Sequence, residues 1–379
     1  MKSNKCYLAS LAFLLIALGA CAPSAVSIQS PTPAAPTPPQ ASLTSAATVT
    51  SAEDVAWAKV VAAAKKEGKL IRYGGALTGD WGNSLDQGFE QRYGIKVETI
   101  AGRGVEFVER LKTEKRMGQM VADMWDGSSL FGLTIKKDGV MARAPDLPVF
   151  KEQDVFRFDL FILDPEKTLV LLPCNVTGWA VNTKLVKPED EPASYSDALR
   201  PQWTGKIAFP DPKLVSSPYM TLLPLMNKGL VGKDYIDRLG KQKLSLFRGS
   251  LEVARAVATG EYPLGLATDS FLAQFATEGA PVKALSMKEG TMGSCNLMAR
   301  IDGGRNPNAA ALYMNYVLTQ EGQERYAVGR KAIPLRKDVP SHQPAALQVT
   351  GVRPITAEEL NEAQDVFIKG LWVDRLSVK

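Results

Sequence analysis

From Ser51 onward the chain alternates short helix-like and strand-like runs, and two longer strand-like runs interrupt the rhythm. Ser51-Ala52-Glu53-Asp54 has the form of a helix-capping box, and "VAWAKVVAAAKKEGK" continues in helical proportions up to Gly68. "KLIRYGG" reads as a strand ending in a glycine turn, "SLDQGFEQRYG" as a helix, "GIKVETI" as a strand, "GVEFVERLKTEKRMG" as a helix and "VADMWDGSS" as a strand running into a turn. This alternation predicts an α/β fold with a largely parallel sheet. The two longer runs are "TLVLLPCNVTGWAVN", from Thr168 to Asn182, and "GTMGSCNLMARI"; each contains a Cys-Asn pair, Cys174-Asn175 and Cys295-Asn296. Between them helix-like and strand-like runs alternate again. After them come "NPNAAALYMNYVLTQEGQERYAVG", a long amphipathic helix or helix pair, and "TAEELNEAQDVFIKGLWVDRL", a final helix with acids near its start.

Ahead of this body, Lys2 and Lys5 precede an apolar run from Cys6 to Ala20 that ends Leu18-Gly19-Ala20-Cys21. A basic start, an apolar core and small residues before a cysteine form a secretory signal. The run is shorter than the roughly 20 residues of a membrane span. Its ending resembles the lipobox of bacterial lipoproteins, which implies cleavage before Cys21 and a diacylglyceryl group on that sulfur. The protein is then exported and lipid-anchored, in the periplasm or on the outer face of the cell membrane. Pro23, Pro31, Pro33, Pro36, Pro38 and Pro39 sit among Ala, Ser and Thr up to Thr50. Such a stretch has little to bury and reads as a disordered tether over 21–50.

Composition excludes several classes of function. The net charge is +5 and the basic residues are spread without a long run, which implies no nucleic-acid partner. The one histidine, His342, lies in the turn-rich "PSHQP". Ser-His-Asp and Cys-His catalysis and histidine-rich zinc sites therefore have poor material. We expect a protein that is not an enzyme and that needs no cofactor or resident metal. Of four cysteines, Cys6 leaves with the signal and Cys21 carries lipid, so Cys174 and Cys295 remain as an even pair in an oxidising compartment and are expected to form a disulfide.

"AWAKVVAAAKKEGKLIRYGG", "FEQRYGIKVETIAGRGVEFVERLKTEKRMG", "GWAVNTKLVKPEDEPASYSDALRPQWTGKIAFPDP", "VATGEYPLGLA" and "NPNAAALYMNYVLTQEGQE" run in order across nearly all of the chain after Ser51. Together they resemble the type II periplasmic solute-binding proteins of ABC importers, in the branch of ferric-ion, thiamine and aminoalkylphosphonate binders. The resemblance implies an α/β fold of two lobes joined by two hinge strands. The implied division is 1–20 signal peptide, 21–50 tether, 51–173 with 297–379 as lobe 1, and 174–296 as lobe 2. Cys174 and Cys295 then fall on neighbouring hinge strands, and their disulfide staples them together. The implied partners are a small-molecule solute held between the lobes, an ABC permease with its ATPase, and the membrane through the lipid on Cys21, for a chain acting as a monomer.

In this fold, ligand contacts come from loops after strands and from helix N-termini, which favour anions. The candidate ligand residues are Trp81 after the first strand, Arg103 in Gly102-Arg103-Gly104, Asp126, Ser128 and Ser129 after the third strand, and Asn175 on a hinge strand. In lobe 2 they are Ser217 and Tyr219, Arg248 and Ser250, and Asp269 with Ser270. Plain helix caps, solvated arginines and core aromatics account for the same residues individually; convergence on one cleft favours ligand contact. Two arginines and several hydroxyl-bearing helix starts suit a carboxylate or phosphonate-like solute. The ferric binders place adjacent tyrosines after the strand that here reads "YPLGLA", where this chain has Thr268-Asp269-Ser270-Phe271 and only Tyr262 nearby. Bare ferric iron is therefore a poor cargo, a ferric complex carrying carboxylates remains an alternative, and a ligand-sensing lipoprotein with a membrane receptor is another.

Overall fold

The computed structural model describes residues 51–102 and 104–376. The signal, the tether, Cys21 and Arg103 lie outside the described residues.

Local chemistry sets the first elements. The Ser51 hydroxyl accepts the Asp54 N–H at 3.1 Å and opens α1 (Ala52–Glu67), which ends at Gly68 in the left-handed conformation (φ 71°). There follow β1 (Lys69–Gly74), α2 (Gly79–Tyr93), β2 (Lys96–Ala101), α3 (Gly104–Met117), β3 (Met124–Ser128), α4 (Ser129–Lys137) and the short β4 (Met141–Ala142). β1 lies between β2 and β3 and is parallel to both. After β5 (Val170–Asn182) the chain forms β6 (Ile207–Pro210), α5 (Ser217–Asn227), α6 (Tyr235–Gly240), β7 (Ser245–Phe247), α7 (Ser250–Thr259), β8 (Leu264–Thr268), α8 (Asp269–Thr277) and β9 (Val282–Ala284). Here β6 is parallel to both β7 and β8. β10 (Thr291–Ile301) returns the chain to α9 (Pro307–Leu318) and α10 (Gln320–Arg330), and β11 (Val352–Pro354), α11 (Ala357–Ile368) and α12 (Val373–Leu376) complete the described body.

The strand order is β2-β1-β3-β10-β5-β8-β6-β7. Two parallel sheets are thus joined through one antiparallel pair, β5 and β10, and the architecture is the two-lobed α/β one with two hinge strands. The register shows how the lobes face each other. β5 leaves β10 and pairs with β8, Thr177 opposite Thr268 and Val181 opposite Leu264. β10 pairs with β3, Asn296 opposite Ser128 and Arg300 opposite Met124. Each hinge strand therefore enters its lobe at the carboxyl end of the parallel strand it joins. The carboxyl edges of both sheets, with the loops that open α2, α3, α4, α5, α7 and α8, meet across the hinge, where α/β folds bind ligands. Cys174 and Cys295 are register partners at the crossing and form a disulfide, with Cα atoms 3.7 Å apart.

The long helix-like run from Asn306 is the helix pair, one of the two forms expected: it divides at Thr319, whose Oγ1 caps α10 by accepting the Gly322 N–H at 3.3 Å. Two features depart from expectation. α9 is not amphipathic, because Ala309 through Leu318 are all buried. The final run also splits, at Gly370 (φ 62°), and its helices do not simply join lobe 1. Trp372 stacks on Tyr219 of α5 with centroids 4.5 Å apart, and Arg375 pairs with Asp237 of α6 at 2.6 Å. The apolar side of this tail finds its aromatic partners in lobe 2, and burial rather than chain order decides where it packs.

Candidate functional site

The lobe-1 wall of the cleft begins with Arg72 in the middle of β1. Its side chain is fully buried, its Nη1 donates to Asp126 Oδ2 at 2.5 Å, and its Nη2 donates to Asp86, Thr99 Oγ1 and the Leu77 carbonyl. Burial works against that charge, but Tyr313, Asp126 and Asp86 around it outweigh the effect and hold the guanidinium protonated. Asp126 Oδ1 accepts the backbone N–H groups of Ala76 and Leu77 at 2.8 and 2.7 Å. Asp126 is thereby an anchor under the β1–α2 loop, with no exposure to the cleft. Ser128 occupies the N-cap position of α4 without a side-chain cap bond and is half-buried, while Ser129 is fully buried with its hydroxyl unpartnered.

The lobe-2 wall is formed by helix starts. Ser217 opens α5, Ser250 opens α7, and their hydroxyls lie 3.3 Å apart, although 33 residues separate them in sequence. Parallel β6 and β7 place the two helix N-termini side by side, so their positive ends converge; Pro218 has no N–H, and the Tyr219 and Met220 N–H groups already donate to the Ser216 carbonyl. Arg248 is exposed beside them. Tyr219 faces inward, donates to the Pro212 carbonyl at 3.1 Å and belongs to the core under Trp372.

At the crossing, Asn175 Oδ1 accepts from Arg330 Nη2 at 2.8 Å, and Ser270 Oγ accepts from the same nitrogen at 3.3 Å. The Arg330 guanidinium also lies 4.7 Å from the centroid of Trp81. The structure thus brings Trp81, Asn175 and Ser270 together around a residue that sequence reasoning missed. A basic residue in the last turn of a helix is ordinary, so nothing local marks Arg330; only the register of β5 against β8 brings Ser270 to it.

Asp269 is buried beside this group, accepting from Gln343 Nε2 at 3.0 Å and from the Ser270 N–H at 2.7 Å. Burial pushes its carboxyl up to about 6, against the lowering effect of those bonds and of Arg330. The folded state holds this proton more tightly than the unfolded chain, so stability falls as pH rises from about 4 to about 6 and is flat above. Asp269→Asn is therefore expected to gain about 2 kcal/mol relative to wild type between pH 4.5 and pH 7.5. Urea midpoints at the two pH values check this, and an unchanged difference between the proteins refutes it. Among the described residues, no three His, Cys, Asp or Glu side chains cluster so as to hold a metal ion, and His342 pairs with Glu324 at 3.0 Å.

Residues 131–362 match the family described as bacterial extracellular solute-binding protein. The chain belongs to that family. Its members are transport binding proteins, extracellular or periplasmic, that bind small solutes for ABC importers with their permease and ATPase. An uncharacterized protein of Haemophilus influenzae is 24% identical over 279 residues, 70% of this chain and 77% of that protein. The fold of this solute-binding protein is similar to that of iron-bound HitA from Pseudomonas aeruginosa (17% identity, TM-score 0.66, covering 80% of this chain and 99% of that one). It is similar too to AfuA from Actinobacillus pleuropneumoniae with fructose-6-phosphate bound (22%, 0.63, 83% and 100%) and to Trichodesmium FutA with iron and citrate (17%, 0.65, 82% and 100%). No helix of this solute-binding protein, among the described residues, is long and apolar enough to cross a membrane.

Proposed function

We propose that the protein captures a small anionic organic solute, carboxylate or phosphonate-like, in the cleft between its lobes and hands it to an ABC permease without transforming it. The lobes are 51–173 with 297–379 and 174–296, except that α11 and α12 lean on lobe 2. The lipid on Cys21 keeps the monomeric protein at the membrane, and the 21–50 segment lets the folded body reach the permease. The observation that carries the reading is the meeting of Ser217 and Ser250 at two helix N-termini on the carboxyl edge of the lobe-2 sheet. The two hydroxyls, the Ser217 N–H and the first N–H groups of α7 supply donors at two positive helix ends, with the exposed Glu252 carboxylate in the first turn of α7 as the one acid at these two helix starts, a setting in which an anion can be held. Arg248, exposed beside Ser250, adds attraction, and Arg103, which lies outside the described residues, remains a second cation by sequence alone. The sugar phosphate in AfuA fits the same logic.

Protein freed of carried-over ligand by unfolding and refolding, with its disulfide intact, is expected to melt several degrees higher with one class of organic anion present at about 100 times its dissociation constant. Ser217→Ala combined with Ser250→Ala is expected to weaken that binding about tenfold or more. A panel of organic acids, phosphonates, sulfonates, amino acids, polyamines, thiamine and ferric citrate covers the alternatives. A shift with thiamine or polyamines alone overturns the anion reading while keeping the transport role.

A further inference from the structure

One guanidinium at the crossing makes no direct salt bridge among the described residues, although the buried Asp269 carboxyl beside it feels its charge. Arg330 is half-buried at the end of α10 and makes no ion pair among the described residues, and its Nε is buried without an acceptor. Its Nη2 reaches the hinge strand at Asn175 and lobe 2 at Ser270, while the face of the group lies over Trp81 of lobe 1. The neighbouring Asp269 carboxylate turns to Gln343 and to the backbone instead. A cation removed from water with unused donors is costly unless an anion completes it.

The surroundings leave room for one. Trp81, Ser270, Phe271, Gln274 and Lys331 border a cavity of about 90 Å³ at Arg330. Gly329 makes this arrangement possible: a Cβ there would lie 2.9 Å from the Trp81 Cβ and 3.0 Å from its Cα, so any larger residue would push the end of α10 away from the indole. With Asn175 and Ser270 both held by Nη2, the remaining donors suit a flat, two-oxygen head better than a tetrahedral one.

Resting on the anion-binding reading above, we infer that Arg330 is a specificity-determining residue that binds a carboxylate of the solute, whose second anionic group sits at Ser217 and Ser250. The solute is then a dianion with a carboxylate at one end. Because Arg330 touches both lobes and the hinge, the same contact favours the closed arrangement.

Isothermal titration of the intact, ligand-stripped protein with succinate, glutarate, 3-phosphonopropionate, propionate and propylphosphonate tests this. At least one dianion is expected to bind wild type, and its analogue lacking the carboxylate to bind about 10- to 100-fold more weakly. Arg330→Gln is expected to remove that same preference while leaving the affinity for propylphosphonate, the analogue that carries no carboxylate, unchanged, and Arg330→Lys to restore part of it by charge without the fork. The comparison of dianion with truncated analogue on wild type needs no variant, so poor folding of Arg330→Gln does not blunt the test. Equal binding of the dianion by wild type and Arg330→Gln overturns the role of Arg330 and leaves the anion reading standing. No binding of any of the five by wild type, with a shift elsewhere in the broader panel, overturns the dianion; no anion binding anywhere overturns both.

Discussion

Replacing Arg72 with methionine is expected to destabilise the folded protein by about 3–5 kcal/mol, because it leaves buried carboxylates without their cation. Arg72 serves Asp126, Asp86, Thr99 and the Leu77 carbonyl at once, and Tyr313 donates its hydroxyl to Asp86 at 2.5 Å. Asp126 has no exposure and Asp86 little, so water cannot replace the lost partner without opening the lobe. The loop that Asp126 holds through Ala76 and Leu77 leads directly to Trp81, so the same substitution should loosen the indole under Arg330. Guanidinium unfolding followed by far-UV circular dichroism measures the loss. A loss under 1 kcal/mol would mean that the cluster is not the keystone of lobe 1. Removing Asp126 together with Arg72 should cost less than the two single changes added, since cation and anion leave together.

Removing the Cys174–Cys295 bond is expected to cost about 4–5 kcal/mol in the simple chain-entropy treatment, with a shortfall if the unfolded chain keeps structure. The cysteines are 121 residues apart, so the bond closes nearly all of lobe 2 into one loop and strongly restricts the unfolded chain. In the native fold it joins register partners on the two strands that cross between the lobes. The double variant Cys174→Ala with Cys295→Ala is expected to unfold at a much lower guanidinium concentration than the oxidised wild type, and reductant is expected to lower wild type alone. Equal midpoints for oxidised and reduced wild type would refute the effect.

The element pattern was legible because its signals are local. The Ser51 cap, the Gly68 stop, the alternation through β1, β2 and β3, and the acids at the start of α11 each depend on residues within one or two turns. The Thr356 cap formed, with Glu359 closing its capping box. Thr319 was a legible cap too, a hydroxyl three residues before Gly322, and it marks the boundary between α9 and α10 that the helix-pair reading allowed. Of the site, Ser217, Ser250 and Ser270 were reachable as hydroxyls at element ends, and Asn175 as an amide inside a hinge strand. Asp126 looked the same from sequence, yet the structure turns it into a loop anchor, because the cation it pairs with stands 54 residues earlier on the neighbouring strand. An arginine inside the apolar "KLIRYGG" was the available warning that a buried partner had to exist.

By itself, then, the sequence determined the α/β class, the two interrupting strands, and the pairing of Cys174 with Cys295 by exclusion of the other two cysteines. Periodicity and cap chemistry act over a few residues and survive without knowledge of the fold. Strand order decided the rest. It set Ser217 against Ser250, carried Arg330 to Asn175, Ser270 and Trp81 across separations of 155, 60 and 249 residues, and sent Trp372 to Tyr219 in the other lobe. Those contacts depend on which sheet edges face each other, and no short-range pattern in a chain encodes that.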